Sequence, residues 1–249
     1  MLTGKNAIIT GSNRGIGKAC VRVFAEMGAN IWACARTKTE EFEADMQMLS
    51  TKFSVSIMPI YFDLNDNDQM MDAVKMIVRD KKHIDILVNN AGIADYTGFS
   101  RIRFSELKKV FLNNYIAPLN FTQLLARRMG RESSASIVFL SSIAGLEPGQ
   151  GTLAYGGSKA AVSHAVKVLS RELAPQNIRV NAIAPGMVET DMRNIADSEM
   201  WAGLVSRTCL KRAALPEEIA RVVAFLGSDM SSYITGQTIR VDGGYSNGL

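Results

Sequence analysis

An α/β fold is predicted, a doubly wound sheet of seven parallel strands with helices on both faces, and three observations predict it. Short aliphatic and β-branched runs alternate with helical patterns along the whole chain. The first run passes through a glycine-rich turn straight into a helix, the local signature of a strand-turn-helix unit. The 249 residues, 47% of them hydrophobic, can bury a large core, and no linker, internal repeat or low-complexity tract divides them, so one domain is expected over 1–249.

Taken in order, the elements follow from composition and punctuation. Residues 6–10 (NAIIT) read as the first strand, followed by GSNRGIG at 11–17 and a helical pattern, KACVRVFAEMG, that stops at Gly28. Residues 31–35 (IWACA) form a second buried strand, and 38–52 a helix. Residues 55–62 (VSIMPIYF) form a third strand, in which Pro59 has no N–H for the ladder and belongs at a sheet edge or a bulge. Asp63 follows; it could face a ligand, but spacing alone favours an N-cap for the helix over 66–80. A fourth strand over 84–89 runs into Asn89-Asn90-Ala91-Gly92. The helix over 104–129 carries Asn113 and Asn114 among apolar neighbours, where an amide needs a hydrogen-bonding reason. Then come a strand at 136–140, a helix ending at 173, a strand at 179–184, a loop from Pro185, a helix at 216–226 and a last strand at 237–241.

Charge and cysteine content exclude several classes. Lys and Arg number 28 against 24 Asp and Glu, with no run of like charge, which argues against nucleic-acid binding. An isoelectric point near 9.0 suits small anionic ligands at most. Cys20, Cys34 and Cys209 are widely spaced, and only His83 and His164 offer imidazole, so neither a disulfide framework nor a metal site is expected. The thiols read as buried fillers in a reducing, cytoplasmic compartment. No charged leader precedes the first apolar run, and no run approaches the roughly 18 apolar residues of a membrane span.

The chemistry concentrates in residues 141–159, SSIAGLEPGQGTLAYGGSK. Tyr155 and Lys159 are four residues apart, which on a helix puts them on one face, one turn apart. A free phenol ionises at about pH 10, and an ammonium nearby draws that value towards the range of a working acid or base. A bare Y-x-x-x-K more often describes a half-buried tyrosine beside a solvated lysine, so the pair needs company. Gly11, Gly15 and Gly17 provide it: their spacing allows a tight turn and lets a dinucleotide pyrophosphate approach the N–H groups of a helix N-terminus, as in a Rossmann-type fold. At the end of the second strand, where the adenosine ribose would lie, the chain reads Ala35-Arg36, with Arg14 in the glycine loop. Two guanidiniums and no carboxylate suit the 2′-phosphate of NADP(H) better than the free hydroxyl of NAD(H).

TGSNRGIG (10–17), Asp63, NNAG (89–92), the N-x-x-x-P of Asn114 and Pro118, Ser142 thirteen residues before YGGSK, and NAIAPGMVETDM (181–192) make the whole chain resemble a short-chain dehydrogenase/reductase of the classical subfamily. Within that family it is similar to the bacterial 3-oxoacyl-[acyl-carrier-protein] reductases, through SNRGIG, APGMVETDM and TGQTIRVDGG (235–244), features that recur in members acting on sugars, polyols, steroids and small ketones. The resemblance implies reduction of a ketone, most like a 3-oxoacyl thioester, by a cofactor half over about 1–95 and a catalytic half over about 96–249. It implies a tetrad: Ser142 binds the substrate carbonyl, Tyr155 donates the proton, Lys159 binds the nicotinamide ribose and lowers the Tyr155 pKa, and Asn114 holds a relay water. Ser141 and Asn113 are the rivals of Ser142 and Asn114. It further implies that Gly11, Ser12, Asn13, Arg14, Gly15, Ile16, Gly17, Arg36, Asp63, Leu64, Asn90, Ala91, Gly92, Tyr155, Lys159, Pro185, Gly186, Val188 and Thr190 line NADP(H).

The resemblance also bears on substrate and assembly. Two basic positions that meet the acidic carrier protein in those reductases read Ser133 and Gln176 here, with Arg131 and Arg179 as basic neighbours. Residues 190–207, with Met192, Met200, Trp201, Leu204 and Val205, correspond to the family's mobile substrate lid, and their apolar character suits a greasy substrate. A cofactor-sensing or scaffolding protein on the same fold would be expected to lack the Tyr or the Lys; both are present. The helices around Asn114 and Tyr155 are apolar on more than one face, through Phe111, Leu112, Tyr115, Leu119, Phe121, Leu124 and Leu125 and through Ala160, Val162, Ala165, Val166, Val168 and Leu169. The resemblance implies a homotetramer assembled through these helices and through the last helix and strand.

Overall fold

Strands that are apolar along their whole length can be buried only in a sheet covered on both faces. In the computed structural model, which describes residues 1–80, 82–130, 133–191 and 198–246 (of Ser198 the backbone alone), such a sheet is formed by β1 (Asn6–Thr10), β2 (Asn30–Ala35), β3 (Ile57–Tyr61), β4 (Ile86–Asn89), β5 (Ala135–Leu140), β6 (Ile178–Pro185) and β7 (Thr238–Val241). All pairs are parallel, in the order β3-β2-β1-β4-β5-β6-β7, the Rossmann-type arrangement the sequence predicts. The winding direction reverses between β1 and β4, where Ile8 lies opposite Leu87 and Ile9 opposite Val88.

Side-chain alternation along these strands feeds two cores. Ile9, Val88 and Val138 pack with α1 (Gly15–Glu26), α2 (Glu40–Phe53) and α8 (Pro216–Gly227) through Phe24, Met46 and Val223. Ile8, Leu87 and Ile137 pack on the other face with α3 (Asn67–Arg79), α5 (Ala117–Ala126) and α6 (Leu153–Leu173) through Ile77, Phe121 and Val166. Two further helices are α4 (Phe104–Phe111), which packs against α6, and α7 (Ser198–Ser206), which lies at the carboxyl end of the sheet. Among the described residues no helix is long and apolar enough to cross a membrane.

Several sequence expectations are corrected or decided. Of the two places open to Pro59, it takes the edge: β3 is the outer strand, pairing with β2 alone, and Pro59 faces Ala33. The cap of α3 is Asp66, whose carboxylate accepts from the N–H groups of Asp68 and Gln69, so Asp63 is released from that role. The single helix expected over 104–129 is three pieces, α4, a π turn (Leu112–Ile116) and α5. The cause is Pro118, which has no N–H to give to the Asn114 carbonyl, so the ladder widens just before it and Ala117 donates to Leu112 instead. Cys20 and Cys34 are buried thiols pushed up in pKa by desolvation, but Cys209 is exposed rather than a core filler. His83 is engaged at the amino edge of the sheet, away from the cleft: its Nδ1 lies 3.2 Å from Asp85, and Ser133 Oγ lies 2.8 Å from its Nε2. The same Asp85 accepts from the Asn6 N–H at 2.8 Å, so the contact staples β1 to the turn before β4.

The turn between β1 and α1 is held by close backbone approach. A Cβ on Gly17 would stand 2.0 Å from the Gly11 carbonyl oxygen, a distance only displacement of the loop can relieve. Gly17→Ala is therefore expected to cost about 1–3 kcal/mol of stability in urea unfolding; an unchanged midpoint would show that the loop yields freely.

Candidate active site

The carboxyl ends of the strands open into a cleft of about 1100 Å³, lined by Thr10 at the end of β1, Ala35 and Arg36 at the end of β2, Asp63 and Leu64 after β3, Asn90 to Gly92 after β4, Leu140 to Ser142 at the end of β5 and Pro185 to Val188 at the end of β6. Gly11 takes a left-handed φ of +67° at the entrance to α1, and a Cβ there would lie 2.9 Å from the Asn90 amide nitrogen. That amide donates to the carbonyls of Thr10 (2.9 Å) and Gly11 (3.2 Å), while the Thr10 hydroxyl accepts from the N–H groups of Asn90 and Ala91, both at 3.0 Å. The ends of β1 and β4 are thus tied at the reversal point. No side chain caps α1, so its first N–H groups are left for a ligand.

Most of the residues expected around a dinucleotide line this cleft: Gly11, Asn13, Arg14, Gly15, Ile16, Arg36, Asp63, Leu64, Asn90, Ala91, Gly92, Tyr155, Lys159, Pro185, Gly186, Val188 and Thr190. Ser12 and Gly17 do not. The Ser12 side chain is fully buried and donates to the Ile9 carbonyl at 2.7 Å, so it braces the loop from beneath. Gly17 lies under the turn, against Gly11. Arg14 is exposed and reaches Asp191 across the cleft at 4.0 Å, too far and too solvated to be neutralised by it.

The catalytic end is built on α6, which opens just before Tyr155. Lys159 is 5% exposed, and its ammonium donates to the Leu140 carbonyl at the end of β5 at 2.7 Å. Burial without a carboxylate partner pulls its pKa down to about 8. Tyr155 is equally enclosed, with its ring centre 5.8 Å from that ammonium. The expected lowering of its pKa is not the net effect of the surrounding side chains: burial pushes the phenol up, and a hydrogen bond from the Ser142 hydroxyl, which favours the phenolate, pulls against it. Ser142 opens the 3-10 turn Ile143–Gly145, and Gly145 packs so tightly on the backbone of α6 that a Cβ there would lie 2.7 Å from the Ala160 nitrogen. The rival Ser141 is turned into the body of the protein, donating to the Lys159 carbonyl at 3.0 Å and sharing a 2.8 Å hydrogen bond with Ser163.

Asn114 does not line the cleft; it is buried in the π turn behind it. Its amide donates to the Ile93 carbonyl (2.8 Å) and to Ser158 Oγ (3.0 Å), and its oxygen accepts from the Ile93 N–H (2.8 Å). Ser158 donates in turn to the Tyr155 carbonyl at 2.7 Å, which links the loop after β4 to the start of α6. The rival Asn113 does line the cleft, but its side chain donates to the Lys109 carbonyl and accepts from Asn65.

Other contributors carry no sequence signal. Tyr96, from the loop after β4, sets its ring edge-on to Tyr155 with centroids 5.6 Å apart, and burial with Tyr155 beside it pushes its own phenol up. The far end of the cleft is an apolar wall in which Ile143, Met187, Ala213 and Tyr245 cluster with Trp201, Leu204 and Val205. Of the expected lid residues, Met200, Trp201 and Leu204 line the cleft, Val205 packs in that cluster, and Met192 lies outside the described residues. The C-terminal segment that brings Tyr245 here is fastened by Arg240, which donates to Asp242, to the Tyr245 carbonyl and to Glu147. The basic neighbours proposed for a carrier-protein contact fare less well. Arg179 is turned inward to the carbonyls of Leu226 (2.8 Å), Ser228 (3.0 Å) and Ile234 (3.0 Å), which removes it from that role, and Arg131 lies outside the described residues.

Comparison with known proteins agrees with this geometry. A family model described as Enoyl-(Acyl carrier protein) reductase matches residues 11–246. The chain is 37% identical to the 3-oxoacyl-[acyl-carrier-protein] reductase of Thermotoga maritima, over 98% of each chain. It is 36% identical to the 3alpha-hydroxysteroid dehydrogenase of Mediterraneibacter gnavus, over 98% of this chain and 97% of that one. Among solved structures, a short chain dehydrogenase from Burkholderia cenocepacia in complex with NADP superposes with a TM-score of 0.90 at 30% identity, over 98% of each chain. Full-length similarity of this kind, on a parallel sheet whose carboxyl edge gathers Ser142, Tyr155 and Lys159, establishes that the chain belongs to the short-chain dehydrogenase/reductase family and is an oxidoreductase acting on CH–OH and C=O groups.

Proposed function

We propose that the protein reduces a ketone to an alcohol with NADPH, and that a 3-oxoacyl thioester is its first substrate class. The observation that carries this reading is the convergence of Ser142, Tyr155 and Lys159 on the wall of a cleft whose other end is a glycine loop. The residues present fit a nicotinamide dinucleotide: a Cβ on Gly92 would sit 3.0 Å from Asn114 Oδ1 and 3.4 Å from Lys159 Nζ, filling the space beside the lysine that a ligand needs. Residues of about 1–95 hold the cofactor and those of about 96–249 do the chemistry. When bound, NADPH supplies the hydride.

The chain's own residues handle the oxygen and the proton. Ser142 donates a hydrogen bond to the substrate carbonyl, so its electrostatic help grows as negative charge develops there. Tyr155 gives its phenolic proton to the same oxygen; the burial that raises its pKa keeps that proton in place in the resting site. Lys159, held by Leu140, directs its remaining protons at the ribose hydroxyls and at Tyr155, and restores the phenol after transfer. Both amide hydrogens of Asn114 are already used, so the relay water is assigned to its backbone carbonyl, which Pro118 leaves without an α-helical donor. The apolar wall beyond Ile143 favours an acyl chain over a polyol, and the steroid dehydrogenase relative makes an oxosteroid the second reading. Three free thiols accord with a reducing, cytoplasmic setting.

Tyr155→Phe removes only the proton donor, so turnover should fall by about a thousandfold while NADPH binding persists; substantial residual kcat would remove Tyr155 from its role. Lys159 loses its charge as pH rises through about 8, well below the usual lysine value. The kcat/KM for NADPH, which reports the free enzyme, should therefore decline above that pH, and Lys159→Arg should abolish the decline. A profile in the parent that stays flat across that pH would refute the assignment.

Cofactor choice rests on Arg14, Arg36 and the absence of a carboxylate at the end of β2, where Ala35 is buried. A charge-assisted hydrogen bond to a 2′-phosphate contributes about 1.5–3 kcal/mol, so kcat/KM should favour NADPH over NADH by more than about tenfold, and less in Arg36→Ala. Equal values for the two cofactors in the parent would contradict the reading.

Assembly is proposed to be a homotetramer. Phe104, Ile116 and Leu153 remain 70%, 53% and 50% exposed along α4, the π turn and α6, and Met230 and Tyr233 are bare before β7. A second chain covering the first patch would also brace Asn114 and Tyr155. Light scattering should give about four times the 27.2 kDa chain mass, and fully active protein at that single mass would overturn the proposal.

A further inference from the structure

Among the described residues, the substrate end of the cleft holds one cation that the proposed chemistry does not use. Arg207 follows α7 and lines the cleft beside Leu204, Trp201, Met187 and Tyr245. Its side chain is exposed, and among the described residues its guanidinium has no hydrogen-bond or ion-pair partner. The other described cleft charges are accounted for: Lys159 is bound to Leu140, Glu147 to Arg240, Asp63 accepts from the Asn65 N–H, Asp191 faces Arg14, and Arg14 and Arg36 stand at the opposite, adenosine end. The backbone of Arg207 is pinned on both sides, its N–H to the Leu204 carbonyl at 3.2 Å and its carbonyl to the Ser246 N–H at 3.4 Å. The side chain is free, but its origin is fixed between the lid helix and the C-terminal segment. A guanidinium stays charged at every working pH and presents a planar fork that matches a carboxylate or phosphate.

We propose that Arg207 is an anion subsite for the substrate: the ketone this chain takes has an apolar body, lying along Ile143, Met187, Trp201, Leu204 and Tyr245, and carries a carboxylate or phosphate at the end away from its carbonyl. The inference rests on the ketone-reductase reading and narrows it, excluding neutral ketones and polyols as the preferred class. The same chemistry has two sources: the side-chain carboxylate of an oxosteroid acid, with the ring system along the wall, or the phosphate of a phosphopantetheine thioester, in which the pantetheine arm and not the acyl chain would span the wall.

The test uses two matched pairs with the full chain and NADPH: a 3-oxoacyl pantetheine against its 4′-phosphate, and a 3-oxosteroid acid against its methyl ester. In at least one pair the anionic member should have the higher kcat/KM by about fivefold to tenfold, mostly through KM. That ratio should approach one in Arg207→Ala, be partly retained in Arg207→Lys and shrink with added NaCl in the parent protein. Preference in the first pair alone assigns the phosphate, and in the second alone the carboxylate. Ratios near one in both pairs, or a ratio in Arg207→Ala equal to that of the parent, would overturn the subsite. Binding of the same pairs, read by quenching of Trp201 fluorescence, separates the two levels of argument. If no ketone is reduced, the reductase reading fails, and the subsite then stands or falls on whether the anionic member binds more tightly in an Arg207-dependent way.

Discussion

The structure turns on one buried cation. Lys159 is almost wholly enclosed and no carboxylate compensates it; what holds it is the Leu140 carbonyl at 2.7 Å. Burying an ammonium on such terms is costly, and the cost appears as a pKa pulled down to about 8. The neighbouring architecture explains why the residue stays there. Ser141 ties the end of β5 to the backbone of α6 at the same residue, Gly145 lets the Ser142 turn lie flat on α6, and Gly92 leaves the ammonium one open side. A lysine with one open side in a cleft is held ready for a partner.

A second constraint comes from a bond that cannot form. Pro118 denies the Asn114 carbonyl its α-helical donor, and the helix answers with a π turn in place of a kink. That widened turn brings the Asn114 side chain against Ile93 and Ser158, and Ser158 reaches the Tyr155 carbonyl. Side chain and backbone of one residue are thus set differently: the amide clamps the loop after β4 to α6, and the carbonyl loses its α-helical donor. A reading that gives Asn114 a single role misses half of this.

Legibility from sequence followed the range of the interactions. The strand order class, the glycine turn and the Tyr155–Lys159 pair were readable because each is fixed by spacing within about two turns of chain or by burial of a whole strand. Pro59 narrowed the third strand to an edge or a bulge for the same local reason. Asp63 was misread as a cap because Asp66, three residues later, offers the same chemistry, and only the geometry of α3 decides between them. Ser12 and Gly17 carried the glycine-loop pattern but face inward, since a motif specifies the turn and not which of its members touches a ligand. Tyr96, Tyr245 and the Glu147–Arg240 pair come from loops whose partners lie far away in the chain, so no local pattern could have announced them. The direction of the Tyr155 shift was missed because proximity to a lysine is visible in sequence whereas desolvation is not.

The same distinction explains why reaction class is easier to read than substrate. Tyr155 and the glycine turn sit on the first turn of a helix and at a strand end, where few residue choices preserve the geometry. The substrate wall is assembled from α7, the segment before α8 and the C-terminal tail, joined by contacts such as the bridge between Val188 and Ala214 and the hold of Arg240 on the Tyr245 carbonyl. Side chains there can change without disturbing the sheet, which is how one scaffold accommodates relatives named for acyl thioesters and for steroids at almost the same identity. Arg179 shows the converse: a basic residue that position alone would place on a carrier-protein surface is committed to three backbone carbonyls near the end of α8, and is part of the fold. Substrate identity in this chain therefore has to be argued from side chains that the fold leaves unoccupied, and at the far end of the cleft that criterion selects Arg207.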